Sequence, residues 1–90
     1  MKQPSVLVTG GLSGVGADIC RYFAPHSLGI SRRNGYDIGN PATQSKIAEL
    51  SLDYDIFVNH AHSGHFSGQT ELLYRVFECW EAHKKVGYIF

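Results

Sequence analysis

Val6-Leu7-Val8-Thr9-Gly10-Gly11-Leu12-Ser13-Gly14-Val15-Gly16 decides how this chain folds. A short apolar, β-branched run enters a glycine-rich turn. An amphipathic segment leaves it, with Ala17, Ile19, Cys20, Tyr22 and Phe23 ahead of Pro25. That order is the strand–loop–helix of a nucleotide site. Glycines let the backbone turn sharply and approach a pyrophosphate, whose charge rests against free amides at the helix start. The spacing Thr-Gly-x-x-x-Gly-x-Gly directly after an apolar strand is far more specific than a glycine pair in a structural turn. A phosphate-binding P-loop is excluded, because no Gly-Lys-Ser/Thr follows the glycines.

Working outward, 90 residues make one domain at most, with a modest core. Eight basic residues balance eight acidic ones, so no charge excess argues for a nucleic-acid partner or a membrane surface. The run Val6–Val8 is too short for a secretory or membrane-spanning segment, which points to a cytoplasmic protein. Cys20 and Cys79 are the only cysteines, each inside an expected helix, and read as two buried free thiols.

Beyond Pro25, Ser27-Leu28-Gly29-Ile30-Ser31 reads as a second strand running into the turn Arg32-Arg33-Asn34-Gly35. Tyr36-Asp37-Ile38 reads as a minimal third strand. Asn40 caps the next helix and Pro41 suits its first position, with Ala42, Ile47, Ala48 and Leu50 as an inner stripe. Asp55-Ile56-Phe57-Val58-Asn59 is a fourth strand, apolar on both faces as a central parallel strand should be. After a loop from His60 to Gly68, Glu71–Lys84 is the strongest helix, with Leu72, Leu73, Val76, Phe77 and Trp80 at helical spacing. Val86-Gly87-Tyr88-Ile89-Phe90 is a fifth strand. The alternation predicts an α/β fold with a parallel sheet.

The chain resembles the short-chain dehydrogenase/reductase family over essentially all its length. The resemblance rests on Thr9-Gly10-Gly11-Leu12-Ser13-Gly14-Val15-Gly16, the family's cofactor motif, and on Asn59-His60-Ala61-His62-Ser63-Gly64, a variant of its Asn-Asn-Ala-Gly motif with His60 in place of the second Asn and the glycine displaced to Gly64. It implies a Rossmann-like three-layer fragment with strand order 3-2-1-4-5, ending on strand five. It also implies a dinucleotide over the carboxyl ends of strands one to three. Contacts would come from Gly10, Leu12, Ser13, Gly14, Val15 and Gly16, and from Asn59 and Ala61 beside the adenosine ribose.

An NAD site would place an acid at the end of the second strand; here Ser31-Arg32-Arg33 stand there. Two guanidinium groups and a hydroxyl suit a 2′-phosphate, so the expected cofactor is NADP, with NAD disfavoured. A solvated turn is the competing reading of those residues. By resemblance Asp37 would meet the adenine amino group and Ile38 the ring edge; a plain surface Asp competes with that role.

The family's chemistry needs a Tyr, a Lys four residues later, and a Ser. Here Tyr22, Tyr36, Tyr54 and Tyr74 are followed at that spacing by His26, Asn40, Val58 and Glu78, and Tyr88 has two residues after it. No catalytic residue is assigned, and no turnover is expected from this chain alone. His60, His62 and His65 form one cluster with metal-ligand character. No nearby Cys or carboxylate completes a tetrahedral set, so they read as loop histidines beside the nucleotide site.

Three function classes remain open: a piece of a longer NADP-dependent oxidoreductase, a complete small dinucleotide-binding or sensor protein without chemistry, and a structural α/β module whose glycine turn is empty. Right-handed crossovers place the first helix on one sheet face and the other two on the opposite face. The first face is then bare over strands four and five. Either Ile56 and Val58 or Phe57 must point outward there, beside Val86, Tyr88, Ile89 and Phe90. That predicts a homo-oligomer, most simply a dimer.

Overall fold

The structure is a computed structural model that describes residues 3–61 and 66–90. His62, Ser63, Gly64 and His65 of the histidine-containing loop lie outside the described residues. Four strands and three α-helices alternate along the chain: β1 (Val6–Thr9), α1 (Gly14–Phe23), β2 (Ser27–Ile30), α2 (Pro41–Ser51), β3 (Ile56–Asn59), α3 (Phe66–Ala82) and β4 (Tyr88–Ile89). A short 3-10 turn, Arg32–Asn34, separates β2 from α2. The sheet is wholly parallel in the order β2-β1-β3-β4. The α/β class with a parallel sheet is as expected.

The expected third strand is corrected: the expected second, first, fourth and fifth strands form the sheet in that order, and the third place at its edge is not filled. Tyr36-Asp37-Ile38 forms no strand, so four strands remain among the described residues. Its backbone is engaged locally instead. Tyr36 N–H donates to the Ser31 carbonyl at 2.9 Å, and Asp37 Oδ1 accepts from Gly39 N–H at 2.9 Å while its carbonyl accepts from Asn40 N–H. The Tyr36 amide and the Asp37 carbonyl are thus committed to turns rather than to a ladder. Ile38 is nonetheless buried in the core.

β1 is central and its four residues are fully buried. Alternation sends Leu7 and Thr9 to one face and Val6 and Val8 to the other. Leu7, Ile30 and Phe57 join Ile47 and Ala48 of α2 and Leu72, Val76 and Trp80 of α3 in one apolar cluster. α1 packs on β1 and β2 from the opposite side. The helix placement inferred from crossover handedness therefore holds.

α2 begins where expected. Asn40 caps it by accepting from the Ala42 and Thr43 amides, and Pro41 occupies its first position. Its inner stripe differs: Ala42 is exposed, and the buried positions are Gln44, Ile47, Ala48 and Ser51. Two polar side chains thus sit at core spacing, and both are bonded. Ser51 Oγ donates to the Ala48 carbonyl at 2.6 Å and accepts from Trp80 Nε1 at 2.8 Å.

α3 starts at Phe66 rather than Glu71 and ends at Ala82 rather than Lys84. Gly68, expected in the loop, lies buried inside its first turns. Just beyond, Lys84 takes a left-handed conformation (φ 53°), which stops the helix short of the expected end. Among the described residues, no helix is long and apolar enough to cross a membrane.

Candidate functional site

A cleft of about 270 Å³ opens at the carboxyl ends of β1 and β2. It is lined by Gly10 and Ser13 of the glycine turn, Ser31, Arg32 and Arg33 after β2, Tyr36, Asp37 and Ile38, and Ala61 after β3. Residues drawn from three separate stretches, each singled out in the sequence, therefore converge. Tyr36 lines the cleft too and was missed, because it read as a strand residue. Ligand sites for whole small molecules span about 300–1,000 Å³, so this cleft is just below the small end of that range.

The glycine turn presents donors. Ser13 is the N-cap of α1, yet its side chain makes no capping bond, so it leaves the first-turn amides uncovered. Gly14 has φ +56°, and no atom lies within 4 Å of where its Cβ would stand. Space and free amides thus coincide at the positive end of a ten-residue helix.

The two arginines differ. Arg33 Nη2 donates to the Leu12 carbonyl at 2.7 Å, tying the β2 turn to the glycine turn. The Arg32 guanidinium makes no hydrogen bond or ion pair among the described residues. Ser31 caps the 3-10 turn, accepting from Arg33 N–H at 3.1 Å while Asn34 Oδ1 accepts from Ser31 N–H at 2.7 Å. The turn is held rigid, and Arg32 is left as its uncommitted cation.

Thr9 positions the far wall. Its fully buried Oγ1 donates to the Val58 carbonyl at 3.3 Å and accepts from the amides of His60 and Ala61, both at 3.0 Å. Ala61 is thereby seated on Gly10, its Cα 3.2 Å from where a Cβ would stand. The motif contained Thr9, but its role shows only once β1 and β3 are adjacent.

Other expected site residues lie elsewhere. Leu12 contributes only the carbonyl that holds Arg33. Val15 is exposed on α1, and Gly16 is buried beneath the turn. Asn59 turns towards α3: its Nδ2 donates to the Gln69 carbonyl at 3.1 Å, and Gln69 Nε2 returns a bond to the Asn59 carbonyl at 3.0 Å. Among the described residues Asn59 Oδ1 is buried without a partner.

The donor set suits an anion joined to an aromatic base. Free amides and an unpaired guanidinium serve the anion, while Tyr36 and Ile38 offer apolar surface. Among the described residues, no group of three His, Cys, Asp or Glu could hold a metal ion.

Both cysteines are free and half-buried rather than fully buried. Burial pushes the Cys20 thiol above its usual range against smaller opposing effects of Ser27 and Arg21; burial, helped by Glu49, raises Cys79. A raised thiol favours the protonated form in the native state. The stability it contributes is full below the ordinary thiol range and is lost as pH rises through the raised value. Both thiols should therefore alkylate more slowly in the native chain at pH 8 than in urea. Mass-resolved iodoacetamide labelling measures this, and equal native and unfolded rates would contradict it.

No protein-family model, curated protein or solved structure matches the chain.

Proposed function

We propose that this chain is a Rossmann-like dinucleotide-binding domain of short-chain dehydrogenase/reductase type, which holds NADP(H) in preference to NAD(H) and performs no hydride transfer by itself. One observation carries the reading: the uncapped start of α1 and the uncommitted Arg32 open onto the same cleft. Either feature alone is ordinary on a solvated surface; what supports a ligand here is that both open onto one cleft that Ser31 and Tyr36 also line.

The pyrophosphate rests on the amides that follow Ser13, and Arg32 takes the 2′-phosphate with Ser31 beside it. Tyr36 and Ile38 flank the adenine, and Asp37, whose Oδ2 makes no bond among the described residues, accepts from its amino group. When bound, the cofactor would supply a hydride. This chain's own residues bind and orient it. Tyr22, Tyr36, Tyr54 and Tyr74 have no Lys four residues on to move the accompanying proton. A cytoplasmic setting accords with the two free thiols.

The test is a titration of both cofactors by calorimetry. A hydrogen bond to a charged group contributes about 1.5–3 kcal/mol, and about 1.4 kcal/mol is tenfold in affinity. NADP should bind at least about tenfold tighter than NAD, and Arg32→Ala should remove that preference. Arg33→Ala should weaken both cofactors, since it also releases the Leu12 tether. Equal affinities for NADP and NAD in the wild type would sink the proposal.

We also propose that the chain assembles as a two-fold homodimer through the sheet face that α1 leaves bare, where Tyr88 and Phe90 stand exposed.

A further inference from the structure

The missing third strand leaves the adenine wall of the cleft without a ladder, and one buried side chain takes the ladder's place. Gln44 is fully buried in α2. Its Nε2 donates to the Ile38 carbonyl at 2.7 Å and to Glu71 Oε2 at 3.3 Å, while its Oε1 accepts from Arg75 Nε at 2.7 Å. The amide orientation is fixed by chemistry: a guanidinium can only donate and a carbonyl can only accept. Every polar atom of the side chain is used.

An apolar side chain of the same length would fill this space between α2 and α3. It would leave the buried Ile38 carbonyl without a donor, and that carbonyl belongs to the strip lining the cleft. From this we infer that Gln44 is a positioning residue for the nucleotide site: braced by Arg75, it fixes Asp37 and Ile38 against the adenine. The inference rests on the dinucleotide reading, but the strut itself can be tested without ligand.

Amide hydrogen exchange gives the ligand-free arm. Gly39 and Asn40 both donate to Asp37, so their protection reports on the wall. Gln44→Met should speed their exchange about fivefold, the loss expected of one ordinary hydrogen bond, while Leu7 and Val8, which open only on global unfolding, report the loss of overall stability separately. Arg75→Met, on a half-buried position, keeps the Ile38 bond but loses the brace, and should give a smaller change of the same sign.

The ligand arm separates this role from plain destabilisation. Gln44→Met should weaken NADP and NAD by the same factor, about fivefold, because both carry adenine. The NADP/NAD ratio should stay at its wild-type value, whereas Arg32→Ala changes the ratio. Unchanged exchange at Gly39 and Asn40 in both variants overturns the strut. Faster exchange with affinities within twofold of wild type overturns its role in binding. A wild-type chain that binds neither nucleotide overturns the functional reading instead, and the exchange data still judge the strut.

Discussion

Gly16→Ala and Gly29→Ala should each destabilise the fold by about 3 kcal/mol, whereas Gly14→Ala should cost only about 1–2 kcal/mol. The contrast follows from what a methyl group would meet. At Gly16 it would run into the Gly10 carbonyl, where α1 lies directly on the turn. At Gly29 it would stand 2.6 Å from the Gly11 carbonyl oxygen, where β2 passes beneath the same turn. Both obstacles are backbone, so neither can yield by a change of rotamer. Gly14 is strained by its left-handed φ alone, and nothing stands nearby.

A domain of this length has a total stability of about 5–13 kcal/mol, so the first two changes remove a large share of it. Urea unfolding with an unchanged m-value measures all three. Gly14→Ala should stay folded yet lose nucleotide binding, since its methyl occupies the space proposed for the pyrophosphate. A Gly16→Ala chain as stable as wild type would show that α1 does not rest on Gly10.

What the sequence made legible was the chemistry that acts over a few residues. The glycine spacing placed β1, the turn and α1, and Asn40-Pro41 placed the start of α2 to the residue. Local bonds also account for the principal error. Tyr36–Ile38 looked extended and apolar enough for a strand, but Asp37 closes a turn onto Gly39 and withdraws it from the sheet. Gln44 and Ser51 were invisible for the opposite reason. Polar residues at core spacing read as exposed, and two of their partners, Arg75 and Trp80, are distant in sequence. The start of α3 was misplaced because Gly68 reads as a loop residue, yet the helix runs through it. In the site, Arg32 and Arg33 looked equivalent; only the 21-residue reach from Arg33 to Leu12 separates their roles.

A dimer dissociating near the micromolar range, and abolished by Phe90→Lys, is the expected behaviour in sedimentation. Register decides which side chains are bare. Val6 pairs with Ile56, which pairs with Tyr88, and Val8 pairs with Val58, so these residues share the face covered by α1. α1 buries Val6 and Val8 completely but contacts chiefly β1 and β2. Ile56 and Val58 are left half-buried, Tyr88 is 66% exposed and Phe90 is 71% exposed, with their two rings stacked at 6.4 Å. Phe57, the other candidate for an outward position, is fully buried against α2 and α3.

The chain exposes 5862 Å² at 10.0 kDa, against about 5,200 Å² for a compact monomer of that mass. The excess, about 600 Å², is similar in size to what one partner gives up in an interface at the lower end of the stable range. Zero net charge opposes no second copy. An apolar face meeting itself about a two-fold axis also covers the open edge of β4. Phe90→Lys would place two ammonium groups near that axis while leaving the core untouched. It should weaken the dimer at least about a hundredfold without lowering monomer stability. A folded wild-type monomer at about 50 µM, well above a micromolar dissociation constant, would show that this face is covered by something other than its own copy.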